Sequence, residues 1–270
     1  MKYRLLAIDL DDSLLNDDIA ISEKNKEAIR HAVDRGVIVT IATGRMLRAT
    51  TPFVKHLGID FPIITYQGAL IANSLSKDVL LHIPVDLDYA REIIGECHRN
   101  NVHLQVFVND MYFYEKDNRY SDIYRRVSGI EGEAVGPLLD FLTCEPTKLV
   151  MIDEPENIQK WQKYFGKKYE GRLEVVVSKA NYLEFTHIEA TKGNALKFLA
   201  GKHGIKQEEI IAIGDSFNDI TMLRYAGLGV AMGNASEIVK SQADYVTYTN
   251  NEDGVAHVIE KFIVEGGKVI

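Results

Sequence analysis

Apolar residues in the chain form short continuous runs that alternate with segments of helical spacing. The runs RLLAI (4–8), VIVTIA (37–42) and FPIIT (61–65) are typical of strands buried on both faces of a sheet. Helical segments separate them, from Ile21 to Arg35 with Gly36 as the stop, and from about Met46 to Leu57. The later runs EEIIAIGD, GLGVAM and ADYVTY repeat the pattern. The two ends of the chain therefore predict one doubly wound, mostly parallel α/β sheet.

The middle of the chain has a different pattern, with two hairpin signals. HLQVFVNDMYFYE turns at Asn109-Asp110, and LEVVVSKANYLEF turns at 179–181. KLVMID and the helix-like ENIQKWQKYFGKKY lie between them. These pieces predict an antiparallel sheet with helices on one face. We therefore expect an α+β domain over residues 84–187, inserted into a core made of residues 1–83 and 188–270, with linkers near Pro84 and His187.

Composition excludes several classes of protein. The 270 residues are 46% hydrophobic and carry a formal net charge of −8, and the dispersed Lys and Arg residues offer no basic face for a nucleic acid. No stretch approaches the roughly 20 apolar residues of a membrane-spanning helix. The two cysteines, Cys97 and Cys144, fit a reducing cytosol and are predicted to pack in the interior. We expect a cytoplasmic protein without nucleic-acid or membrane partners, and leave its oligomeric state open.

Carboxylates directly follow two of the predicted strands. Asp9 and Asp11 leave the first strand at positions i and i+2, so they project from the same side of the backbone. Asp215 and Asp219 follow the run IIAI. Strand ends of such a sheet face a common crevice, so these carboxylates can meet there and would repel each other without a cation. Mg²⁺ suits such hard oxygen ligands, and Asp9 could then attack a phosphorus atom.

Two further features supply donors for a phosphate. Thr43-Gly44-Arg45 follows the second strand and opens a helix, where a hydroxyl, a close backbone approach and free N–H groups favour an anion. Lys192 lies at the start of another predicted helix and adds a point charge. Together these residues predict a phosphate-binding site.

The segments DLDDSLL, ATGR, the lysine of TKGNAL and GDSFND, in this order, resemble the four motifs of the haloacid dehalogenase-like (HAD) superfamily. The closest match is its Cof-type subclass IIB. The resemblance covers the whole chain, including the ITYQGALI segment and an inserted cap domain. It implies a Rossmann-like core and a magnesium-dependent phosphatase that acts on small phosphorylated metabolites through an aspartyl-phosphate.

The resemblance also implies a role for each matching residue. Asp9 would be the nucleophile, and Asp11 the acid that protonates the leaving group and then the base that activates water. Magnesium would be held by Asp9, the Asp11 position and Asp215. Phosphate would be contacted by the Leu10 backbone, Thr43, Gly44, Lys192 and Asn218, with Asp219 and Arg45 in support. The role of Arg45 stays open, as do the effects of two departures from the family pattern, Asp12 for Gly and Gln67 for Asn.

Each motif taken alone has an ordinary explanation, such as a solvated turn, a surface lysine or a helix cap. Their joint occurrence at successive strand ends favours an active site. Hydrolysis is favoured over phosphomutase-type transfer between sugar positions and over a non-catalytic phosphate-binding sensor, because Asp11 can activate water. The resemblance points to sugar phosphates, with nucleotides, pyridoxal phosphate and flavin mononucleotide left open. The inserted domain is expected to close over the crevice and to select the leaving group.

Overall fold

The computed structural model of the protein describes residues 2–58 and 61–266. Residues 1, 59–60 and 267–270, which belong to the predicted core ranges, lie outside the described residues. The strands are β1 (Leu5–Ile8), β2 (Ile38–Ile41), β3 (Pro62–Thr65), β4 (Leu70–Asn73), β5 (Val79–His82), β6 (His103–Val108), β7 (Met111–Tyr114), β8 (Glu133–Ala134), β9 (Lys148–Ile152), β10 (Leu173–Lys179), β11 (Tyr182–His187), β12 (Ile210–Gly214), β13 (Leu228–Ala231) and β14 (Tyr245–Val246).

Helices connect most of these strands. They are α1 (Glu23–Asp34), α2 (Leu47–Leu57), α3 (Leu87–Asn100), α4 (Arg119–Ser128), α5 (Leu138–Phe141), α6 (Pro155–Lys168), α7 (Lys192–Lys202), α8 (Ile220–Tyr225), α9 (Glu237–Lys240) and α10 (Gly254–Ile259). Single helical turns add Leu10–Leu14, Tyr66–Gly68, Gln207–Glu209, Phe217–Asp219, Asn250–Glu252 and Glu260–Val264.

The chain divides into two compact units. One unit runs up to Leu81 and resumes at Thr191, and the other is His82–Ala190. The sequence placed the linkers near Pro84 and His187. Within the described ranges, no helix is long and apolar enough to cross a membrane.

A parallel sheet in the order β14-β13-β12-β1-β2 forms the centre of the first unit. The residues of β1 and β12 are buried along their whole length, which explains why their sequences are continuously apolar. A single parallel bridge from Ala42 to Ile64 adds β3 beyond β2. The predicted doubly wound α/β core is therefore confirmed. In the small sheet β3-β4-β5, β3 was predicted from the run FPIIT, whereas β4 and β5 were not predicted.

Local signals in the sequence set where the core helices begin and end. The hydroxyl of Ser22 accepts the amide hydrogen of Asn25 and caps α1, and Gly58, with φ of 65°, ends α2. Thr191 caps α7 by accepting the amide hydrogen of Asn194 at 3.1 Å. This cap makes Lys192 the first residue of α7.

The second unit contains a six-stranded sheet in the order β10-β11-β9-β6-β7-β8. Both predicted hairpins are confirmed: Val108 pairs with Met111 around a turn with positive φ, and Lys179 pairs with Tyr182. The prediction of a purely antiparallel sheet is wrong at its edge, because β8 runs parallel to β7. Such a two-residue strand carries too little pattern to be found in sequence.

Helices lie on both faces of this sheet, and not on one face as predicted. Buried residues of α3 and α6, such as Ile94 and Phe165, pack with Leu104 and Leu149 of the strands. On the opposite face, Tyr124 of α4 contacts the rings of Phe107, Tyr112 and Tyr182. Cys97 is buried in this unit, but Cys144 is exposed, so the prediction that both cysteines pack in the interior is wrong for Cys144.

Candidate active site

Three carboxylates meet at the end of the parallel core sheet. Asp9 directly follows β1, and its amide donates to the carbonyl of Ile213 in the paired strand β12 at 2.9 Å. Asp215 directly follows β12. Because parallel strands end at the same edge, oxygens of Asp9, Asp215 and Asp219 lie within 4.8 Å of one another. The expectation that these distant segments meet is supported by this geometry.

Lys192 joins two of these carboxylates in the interior. Its Nζ donates to Oδ1 of Asp9 at 2.5 Å and to Oδ1 of Asp219 at 2.6 Å. All three side chains are nearly inaccessible, with 1% of Lys192, 6% of Asp9 and none of Asp219 exposed. A buried charge is stable only when it is paired and hydrogen-bonded, so the lysine and the two aspartates form one interdependent group.

Asp219 also organises the loop after β12. Its Oδ2 accepts the amide hydrogens of Asp215 and Ser216, each at 3.0 Å. A Cβ atom on Gly214 would lie 2.4 Å from Cγ of Asp219, so glycine is needed for this approach. With Oδ1 bonded to Lys192 and Oδ2 bonded to the loop, Asp219 is suited to orienting its neighbours.

Burial and mutual repulsion shift the acidities of this group. Burial, together with the negative charges of Asp219 and Asp215, raises the pKa of Asp9 despite the opposing charge of Lys192. Burial and the charge of Asp219 raise the pKa of Asp215 to about 6, although the Ser13 hydroxyl donates to Oδ1 of Asp215 at 2.8 Å. Burial alone would lower the pKa of Lys192, but Asp219 and Asp9 outweigh it and raise that pKa.

The donor set fits a divalent cation. Three carboxylates face one ammonium group in a buried pocket, so negative charge is left uncompensated. Hard oxygen ligands of this kind suit Mg²⁺. The pKa values of Asp9 and Asp215 are raised by burial and by repulsion between the carboxylates, which the single ammonium group does not cancel.

The ATGR segment lies next to the GDSFND loop through Gln67. A Cβ atom on Gly44 would lie 2.4 Å from Nε2 of Gln67, and Oε1 of Gln67 accepts a hydrogen bond from Nδ2 of Asn218 at 2.9 Å. The buried hydroxyl of Thr43 accepts the amide hydrogen of Arg45 at 3.1 Å. The structure therefore brings Thr43, Gly44 and Asn218 together, with Gln67 as the link that the sequence did not reveal.

The turn after Asp9 positions Asp11 away from the three converging carboxylates. The turn starts at Leu10, whose side chain is buried. The Asp11 side chain is 49% exposed and forms an ion pair with Arg45. Asp12 has φ of 55°, a left-handed conformation that Gly adopts freely and Asp tolerates. This conformation explains why Asp can stand where many family members have Gly.

Sequence reasoning did not identify two residues that support this turn. Ser13 bonds to Asp215 as described, and Asn234 Nδ2 donates to the carbonyl of Asp12 at 2.8 Å. Ser13 belongs to the DLDDSLL segment, so its position was a usable signal. Asn234 lies more than 200 residues away, and nothing local marks it. Gln67 has φ of 61°, a conformation that Asn adopts more readily than Gln.

Comparison with known proteins gives consistent results. The family model described as haloacid dehalogenase-like hydrolase matches residues 6–259. The 5-amino-6-(5-phospho-D-ribitylamino)uracil phosphatase YcsE of Bacillus subtilis is 34% identical over 97% of this chain and 96% of its own length. Phosphatase YwpJ of the same organism is 31% identical over 96% of this chain and 100% of its own length. The crystal structure of TM0651 from Thermotoga maritima is 36% identical, with a TM-score of 0.88, and covers 96% of this chain and 97% of that one.

Proposed function

The chain belongs to the haloacid dehalogenase-like hydrolase family and is a phosphatase of that family; we propose that it hydrolyses small phosphorylated metabolites in a magnesium-dependent reaction through an aspartyl-phosphate on Asp9. The observation that carries the proposal is the buried contact of Asp9 with Lys192, beside Asp215 and Asp219. One carboxylate oxygen is thereby fixed by an ammonium group in a site that attracts a cation. A relative acts on a phosphorylated ribitylamino-uracil, as its name states, which supports a small metabolite as substrate.

Magnesium would be held by Asp9, the Asp11 position and Asp215. When bound, the ion would neutralise carboxylate charge and polarise the phosphoryl oxygens. Asp219 is left out of this set because its oxygens already accept from Lys192 and from two backbone amides. It would act by holding Lys192 and the loop in place.

The chain's own residues would perform two steps. First, an Asp9 oxygen bonds to phosphorus, the bond from phosphorus to the leaving-group oxygen breaks, and Asp11 protonates that oxygen. Second, water attacks the phosphorus of the aspartyl-phosphate, Asp11 accepts the water proton, and Asp9 is released. Lys192, Thr43, Asn218 and the backbone at Leu10 and Gly44 would hold the phosphoryl oxygens throughout.

Release of inorganic phosphate from a panel of phosphorylated metabolites tests this function. Sugar phosphates, nucleotides, pyridoxal phosphate and flavin mononucleotide should be compared with magnesium and with a chelator. We expect magnesium-dependent release from some members, with sugar phosphates favoured. Isomerised sugar phosphate without free phosphate would instead identify a phosphomutase, and binding without any turnover would identify a sensor. A cytoplasmic location remains a prediction from the sequence.

The raised pKa of Asp215 predicts that pH controls magnesium binding. Its pKa of about 6 exceeds the unfolded value of about 3.9, so the folded protein without metal loses stability as pH rises between these values. Magnesium must displace the proton, so its apparent affinity should fall about fivefold between pH 6 and pH 5. Thermal unfolding with and without magnesium should show a larger stabilisation at pH 7.5 than at pH 5. Equal stabilisation by magnesium at both pH values would contradict this prediction. So would an Asp215→Asn variant whose stabilisation by magnesium depends on pH as that of the wild-type protein does.

We further propose that the unit His82–Ala190 selects among leaving groups. The phosphate and metal residues named above all belong to the other unit, so the second unit is free to vary with substrate. Asn109→Gly, which keeps the left-handed turn, and Asn181→Ala should change relative rates across the metabolite panel more than turnover of p-nitrophenyl phosphate. The exposed Lys163→Ala in α6 is the matched control. Unchanged relative rates in both loop variants would remove these loops from substrate selection.

A further inference from the structure

Arg45 makes a bidentate contact with the carboxylate of Asp11. Its Nη2 donates to Oδ1 at 2.5 Å, and its Nε donates to Oδ2 at 2.8 Å and to Oδ1 at 3.1 Å. Two parallel hydrogen bonds fix the plane of a carboxylate as well as its position, which a single ammonium contact cannot do. The ion pair links the DLDD turn to the ATGR segment, 34 residues further along the chain.

The backbone of Arg45 is fixed by two hydrogen bonds, and its guanidinium contacts an aromatic ring. The Arg45 amide donates to the Thr43 hydroxyl at 3.1 Å, and the Arg45 carbonyl accepts from the Tyr66 amide at 3.0 Å. Its Cζ lies 5.2 Å from the centre of the Phe53 ring in α2. A side chain that is 27% exposed and anchored in this way is pre-organised, whereas ordinary surface ion pairs are not.

We propose that Arg45 is the positioning residue for Asp11, an inference that rests on the proposed phosphatase function. Asp11 is half-exposed and stands apart from the buried carboxylates, so its own turn does not confine it. Arg45 limits the orientations of the Asp11 carboxylate and ties it to the ATGR segment. Arg45 acts through Asp11 and makes no contact with the transferred phosphoryl group.

A double-mutant cycle separates this role from direct phosphate binding. Arg45→Gln should lower kcat/KM for a sugar phosphate by about 10- to 100-fold, the cost of misplacing a reacting group. For p-nitrophenyl phosphate, whose leaving group needs no proton, the loss should be less than about threefold. In an Asp11→Asn background, Arg45→Gln should have almost no further effect on kcat/KM, because the residue that it positions is already disabled.

Two more variants complete the experiment. Arg45→Lys keeps the charge but cannot make the bidentate hydrogen bonds, so it should show a partial loss of kcat/KM with the same leaving-group dependence. It replaces Arg45→Gln in the cycle if that variant fails to fold. Arg30→Gln, at an exposed position of α1, is the matched control. Equal losses in the wild-type and Asp11→Asn backgrounds, or equal losses for both substrates, would overturn the proposal. A wild-type protein that releases no phosphate at all would overturn the proposed function. The pattern of losses among the variants tests the role of Arg45.

Discussion

Asp9→Asn is expected to lower turnover by roughly 10⁴-fold or more, because an amide is a poor nucleophile and its loss removes the covalent step. The two side chains have nearly the same shape, and an amide oxygen can still accept a hydrogen bond from Lys192. The substitution also removes one of three mutually repelling carboxylates. The metal-free variant should therefore be at least as stable as the wild-type protein.

Steady-state phosphate release and thermal unfolding without magnesium measure these two effects together. The exposed Asp18→Asn makes the same change of charge outside the site and should leave both quantities unchanged. Substantial activity in Asp9→Asn would remove Asp9 as the nucleophile. A large fall in its unfolding temperature would show that the loss of activity reflects damage to the fold.

Lys192→Met is expected to cause the largest loss of stability. It leaves Asp9 and the fully buried Asp219 without their cation, and breaking a buried pair by removing one partner typically costs about 3–5 kcal/mol. For a domain of this size, that corresponds to a fall of roughly 10 °C in the unfolding midpoint. Activity should fall with it, because the lysine would also contact the phosphate.

A second substitution tests whether uncompensated charge causes this loss. Adding Asp219→Asn to Lys192→Met removes one unpaired carboxylate, so the double variant should be more stable than Lys192→Met alone. Lys197→Met, at an exposed position of the same helix, should change the midpoint very little. A double variant that is less stable than Lys192→Met would show that the lysine contributes through packing and not through charge.

The sequence predicted the core sheet well because its strands are buried on both faces. Runs such as LLAI and IIAI are typical of strands that are buried on both faces of a sheet. The end of each strand then fixes the position of the carboxylate that follows it. The Asn109-Asp110 hairpin was equally clear, because its turn residues favour positive φ. In these places, local pattern and tertiary structure agree.

Elements whose stability comes from tertiary contacts were not found. The strands β4 and β5 and the helix α4 were not predicted, although Asn118 and Gly129 cap the two ends of α4. Tyr124 of this helix contacts aromatic rings on strands of the same unit. Loop geometry also sets two contacts between distant residues. Arg45 bonds to Asp11 across 34 residues of sequence, and Asn218 bonds to Gln67 across 151 residues. A motif identifies which residues take part in a site, but only coordinates show which of them pair.

Trapping the covalent intermediate tests the central proposal most directly. During turnover with magnesium, the protein should be quenched rapidly and treated with hydroxylamine or borohydride, which convert an acyl phosphate into a stable product, and then digested for mass spectrometry. We predict a modified peptide that carries the change on Asp9, and no modification in Asp9→Asn. Phosphate release in a single turnover without any modification of Asp9, or with modification at another residue, would contradict the aspartyl-phosphate mechanism.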